Sequence, residues 1–140
     1  MKQLKFVIIG LFAVILTANA IFAQNNTPIA QIQGEIYRSP LDGKQVTTRG
    51  IVTAVVRRGF YIQTPDAEAD KNPKASEGIY VFTNQDAINV SLGNLVEVSG
   101  TISDYIPRAE RYFLPLTEIT RPNVKVISKD NPWRKRIKLP

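Results

Sequence analysis

The sequence predicts an all-β domain, and three observations carry that expectation. From residue 45 onward the apolar residues recur with a period of two. Valine, isoleucine, threonine and aromatic residues crowd those stretches. Proline, glycine, asparagine and aspartate punctuate them at short intervals, as turns require.

With 140 residues the chain has the length of one domain, and its start is set apart from the rest. Lys2 and Lys5 precede an unbroken apolar run over 6–16, and Ala18-Asn19-Ala20 or Ile21-Phe22-Ala23 supplies the small residues a signal peptidase needs. The run falls short of the roughly 20 residues of a permanent span. Residues 1–23 are therefore expected to be a signal peptide cut after Ala20 or Ala23, against the alternative of an uncleaved anchor. The mature chain is expected to be secreted or periplasmic, without stable membrane insertion after cleavage. It has no cysteine, so its core must hold it together without disulfides.

Each element follows from local chemistry. Residues 24–33 (QNNTPIAQIQ) are polar at first and then gain Ile29, Ile32 and Ile36, which suggests a mobile terminus leading into a short strand. SPLDGK (39–44) is a turn. A first strand is expected over 45–56, with Gly50 marking a bulge or bend. Arg57-Arg58-Gly59 reverses the chain into a second strand over 60–64, and 65–77 (PDAEADKNPKASE) is a surface loop. The third strand is 78–83, NQDAINVSLGN is a turn or short helix, and the fourth strand is 95–105 with a central Gly100. A loop over IPRAER leads to a fifth strand over 112–119, placed at an edge by Pro115, and 124–127 adds a last short piece. The domain is expected to span 24–131, with 132–140 a basic tail or linker. Five strands with little helix are the inventory of a Greek-key barrel of the OB type, with an SH3-like barrel or small sandwich as rivals.

Charge becomes informative once it is located. The chain carries 18 Lys and Arg against 12 Asp and Glu. Lys2 and Lys5 belong to the leader, and Arg134, Lys135, Arg136 and Lys138 crowd the end; without them bases and acids balance. The globular body is formally neutral, so a high pI alone does not make it a nucleic-acid binder.

If the branched aliphatics set the core, then Phe60, Ile62, Ile79 and Val81 face inward with Val52, Ala54 and Val56, and Arg49, Tyr61, Gln63 and Tyr80 face outward. In OB folds this face and the loops after the first and fourth strands hold oligonucleotides or oligosaccharides. Those loops carry Arg57 and Arg58, and Arg108 and Arg111. Arginine pairs with phosphate through its planar fork, and tyrosine stacks on any base. The eight residues are the candidate nucleic-acid site, with single-stranded DNA or RNA as partner. Strand tyrosines and hairpin arginines also serve sheet stability and solubility, and the same face suits a protein partner or a glycan.

Asp66, Glu68, Asp70 and Glu77 have the oxygen spacing of a calcium loop, which raises a divalent cation as a ligand. Lys71 at the position where glycine is needed, Lys74 nearby, and flanking strands rather than helices weigh toward a solvated loop. The chain has no histidine and no cysteine, and its other carboxylates are scattered, so no catalytic residue is assigned.

Ile29-x-x-Ile32-Gln33-Gly34, SPLDGKQVTTRGIVTAV, GFYIQTPD, SEGIYVFT and LGNLVEVSGTISDY, in that order, resemble the OB-like N-terminal module of secreted bacterial nucleases. In those proteins the module precedes a catalytic domain of the endonuclease/exonuclease/phosphatase type. The resemblance covers about residues 29–128, although the acidic loop here lacks the glycines of that family. It implies a binding module, non-catalytic by itself, that holds nucleic acid for a nuclease catalytic domain. The end of this chain would then be a linker into such a domain, or the module stands free.

Overall fold

The computed structural model describes residues 26–84, 88–108 and 112–133. The expected signal peptide, Arg111 and the basic residues from Arg134 onward lie outside them. The described chain forms one short helix, α1 (Ile29–Gln33), and five strands: β1 (Gln45–Val56), β2 (Gly59–Gln63), β3 (Gly78–Phe82), β4 (Leu95–Tyr105) and β5 (Leu116–Ser128). The strands close into a ring in the order β1-β2-β3-β5-β4. All neighbouring pairs run antiparallel except β3 and β5, which are parallel.

The ring closes because β1 is long enough to serve two partners. Its first half pairs with β4 from Gln45↔Thr101 to Ile51↔Leu95, and its second half pairs with β2 from Ile51↔Gln63 to Val56↔Gly59. The changeover falls at Ile51, and at the neighbouring Gly50 an added Cβ would stand 2.9 Å from Ile62 Cβ, so the crossing strands touch there. The bulge itself lies further on: the register shifts between Val52 and Ala54, leaving Thr53 as the additional residue. This resets the alternation, and Val55 and Val56 are both about half exposed (52% and 47%) rather than Val56 facing inward.

Inside the ring, Val46, Val52, Phe60, Ile62, Ile79, Val81, Val96, Val98, Ile102 and Ile119 form one buried cluster. Each such side chain contributes about 1.5–3 kcal/mol by leaving water. The segment expected to be a strand at the N-terminus is helix α1, and the Ile29/Ile32 spacing of three is the reason. That spacing puts both side chains on one helical face, and both are buried in the core cluster, with Ala30 buried beside them. Ile36 lies past the helix and is exposed. Gln33 Nε2 donates to the Gly78 carbonyl at 2.6 Å and ties the helix to β3.

The fifth strand also departs from expectation. Residues 112–114 are exposed loop, Tyr112 to 98%, and the strand runs unbroken from Leu116 through Pro122. Proline is tolerated because the β4–β5 register shifts between Ser99 and Thr101, where Arg121 adopts φ +49°. The first part of β5 is no edge: Glu118 and Ile119 pair with β3 on one side and β4 on the other. The described part of residues 84–94 holds a turn at 92–93 and no helix. Residues 131–133, expected to belong to the domain's end and tail, fold back on it: the Asn131 amide and side chain both donate to the Gly93 carbonyl at 2.9 Å. Among the described residues no helix is long and apolar enough to cross a membrane.

Candidate functional site

Strand register builds the site. Ala54 lies opposite Tyr61, Tyr61 opposite Tyr80, Tyr80 opposite Glu118, and Glu118 opposite Ser103. These residues therefore form one row across the outer face of all five strands, because side chains opposite one another in neighbouring strands share a face. The rings of Tyr61 and Tyr80 stand 4.9 Å apart at 39°. Gly59 makes room for them: an added Cβ would meet the Val81 carbonyl oxygen at 2.1 Å and Tyr80 Oη at 2.7 Å.

The hairpin tip completes one wall. The Thr83 amide donates to the Arg58 carbonyl at 3.0 Å, which pins the turn to the end of β3. Arg58 then lays its guanidinium 5.1 Å from the centre of the Phe82 ring and donates to Asn84 Oδ1 at 3.3 Å. Arg58, Tyr80, Phe82, Tyr105, Leu116 and Glu118 line a groove of about 340 Å³, within the range of small-ligand sites.

Glu118 is the unusual member. It is only 6% exposed, and its carboxylate makes no hydrogen bond with any described residue. Burial pushes its pKa above the ordinary carboxylate range, with Arg58 pulling the other way. The Tyr80 phenol is raised too, first by burial and then by Tyr61 and Glu118, while Arg58 opposes. The groove thus joins aromatic faces, one cation and one carboxylate acceptor.

Of the residues expected from sequence, the structure brings Arg58, Tyr61 and Tyr80 together. Arg57 is exposed on the same turn, and Arg108 is exposed in the loop after β4. Arg49 points outward but elsewhere: its Nε and Nη2 donate to Glu97 Oε2 at 3.0 and 2.7 Å across β1 and β4. Gln63 lies toward Trp133, with which it lines a small cavity. Tyr105, Leu116 and Glu118 were not expected, because the pairing of β5 with both β3 and β4 sets them beside the tyrosines. Phe82 was not expected either, although it follows Tyr80 by two residues on β3 and so shares its face.

The acidic loop is organised by its own backbone. Glu77 Oε1 accepts from the Asp70 amide at 3.0 Å, and Asp70 Oδ1 accepts from the Asn72 amide at 2.7 Å. Glu68 and Asp70 line a larger depression of about 510 Å³ with Glu35 and Glu77, whereas Asp66 lies toward Trp133. Among the described residues no three carboxylates converge as a cation would require.

No protein-family model, curated protein or solved structure matches the chain. Nothing beyond its own residues therefore links it to secreted nucleases.

Proposed function

We propose that the chain is a single-stranded nucleic-acid-binding module whose site is the groove between the Arg58 turn, β3, β4 and β5, with Tyr61 of β2 beside it. The observation that carries this reading is the row Tyr61–Tyr80–Glu118 with Arg58 at its end. Bases stack on the tyrosines, and Arg58, with Arg57 and Arg108 on the rim, meets the phosphates. On this reading the ring is a Greek-key barrel of the OB type. Its support is the order β4-β1-β2-β3, in which three hairpin-linked strands are joined by a fourth that returns beside the first. The groove then lies where OB folds hold oligonucleotides, and the exported location expected from the leader belongs to the same proposal.

A second reading has its own observation. Leu114, Leu116, Val55 and Val56 are exposed large apolar residues on or beside the two rim loops, and these suit a protein partner. Ionic strength separates the two. We expect anisotropy of a labelled mixed-sequence single strand to report binding that weakens steeply between low and physiological salt, through counterion release. Replacing Arg58 with Gln should reduce the slope of log affinity against log salt by about 0.7. Absence of binding at low salt would overturn the nucleic-acid reading.

A further inference from the structure

Glu118 asks what its carboxylate accepts. An ionised carboxylate offers two acceptor oxygens and no donor. The Glu118 oxygens are not among the buried polar atoms that lack a partner, so water reaches them through the groove. A ligand that covers them must replace that water with donors, because a carboxylate buried without a hydrogen bond costs several kcal/mol. The Glu118 carboxylate makes no hydrogen bond with a described residue, and it lines the groove beside its register neighbour Tyr80. A phosphate at this position would meet like charge, so the backbone of a bound strand must run on the Arg58 side. What reaches Glu118 must be flat, to lie against Tyr80, and must present donors.

We infer that Glu118 reads the edge of a base and selects guanine. This rests on the nucleic-acid reading above and specifies it. Guanine alone among the four bases carries two adjacent donors on one edge, the N1 ring N–H and the N2 amino group, which match two carboxylate oxygens side by side. Cytosine and adenine each present one amino donor beside a ring acceptor, and thymine or uracil presents one N–H between two carbonyls. Each of these leaves an oxygen of Glu118 unpaired or facing a lone pair, and a buried polar group left unpaired is what makes such discrimination steep.

The test is a competition series with the full chain: a labelled oligothymidine carrying one central guanine, inosine or thymine, titrated against the wild type and Glu118→Gln. The wild type should prefer the guanine strand over all-thymine by about tenfold or more. Inosine, which keeps the N1 N–H and lacks the amino group, should fall between. In E118Q the preference should shrink to about twofold or less, while residual binding persists through stacking. Equal binding of all three strands by the wild type would overturn the inference and leave the module sequence-tolerant. A guanine preference undiminished by E118Q would overturn it as well, and the inosine arm decides the matter without any variant. Failure of every strand to bind, guanine included, is a separate result that sinks the nucleic-acid reading itself.

Discussion

Two rows of outward side chains cross this sheet, and they treat a carboxylate in opposite ways. In one, Glu97 lies between Arg49 on β1 and Lys125 on β5, and Arg49 donates two hydrogen bonds to it. In the other, Glu118 lies between Tyr80 and Ser103, more deeply buried and without a hydrogen-bond partner among the described residues. The first row is chemically complete and needs nothing from outside. The second leaves its carboxylate to the water of the groove, where a ligand could take that water's place.

The largest effect should come from removing the space beneath the second row. Gly59→Ala drives a methyl group into the Val81 carbonyl and the Tyr80 ring, and should cost about 3 kcal/mol in a urea titration. Gly78→Ala is the matched change on the same sheet, with its nearest neighbour at 3.7 Å. It should fall within about 1 kcal/mol of wild type. Next in size, Tyr80→Ala should weaken oligonucleotide binding by about 1–3 kcal/mol in anisotropy, whereas Arg49→Ala should leave binding unchanged. A loss from R49A as large as that from Y80A would erase the distinction between the rows.

The third prediction is smaller and turns on pH. Because Glu118 has a folded-state pKa above its unfolded value, its ionised form is penalised in the native protein above the folded pKa. That penalty disappears below the unfolded pKa, near 4.3. Glu118→Gln should therefore raise the Tm at neutral pH, and its advantage should shrink as pH falls and vanish below that value. The smallest effect belongs to the first row: Arg49→Ala should cost only about 0.2–1 kcal/mol, since the arginine is half exposed and screened by salt.

Local chemistry announced much of the fold. β1 and β4 begin and end where their runs of valine, isoleucine and threonine do, because a half-buried strand writes its period into the sequence. Helix α1 was hidden by brevity, five residues offering a single i, i+3 pair that is apolar at both positions. The fifth strand was misplaced because Tyr112, Phe113 and Leu114 mimic a strand while lying exposed, and because Pro122 sits inside the real one at a bulge. Half of the site was legible for the same reason as β2 and β3: Tyr61 and Tyr80 alternate with core residues. Glu118 was not, since it gains its meaning from a parallel pairing with Tyr80, between residues far apart in the chain. Arg49 misled because alternation gives the face a side chain occupies but says nothing of the neighbour that claims it.

The ring closes at a very short joint. β3 meets β5 through the pairs Tyr80↔Glu118 and Val81↔Ile119, while the β4–β5 ladder extends from Leu95 to Tyr105. A hoop under thermal stress parts at its hasp, and here the hasp is also where the groove lies. A guest touching Tyr80 on one side and Glu118 on the other would latch it, so occupancy would be recorded as slower amide exchange at the joint. An empty groove, by the same logic, belongs to a hoop that breathes there first.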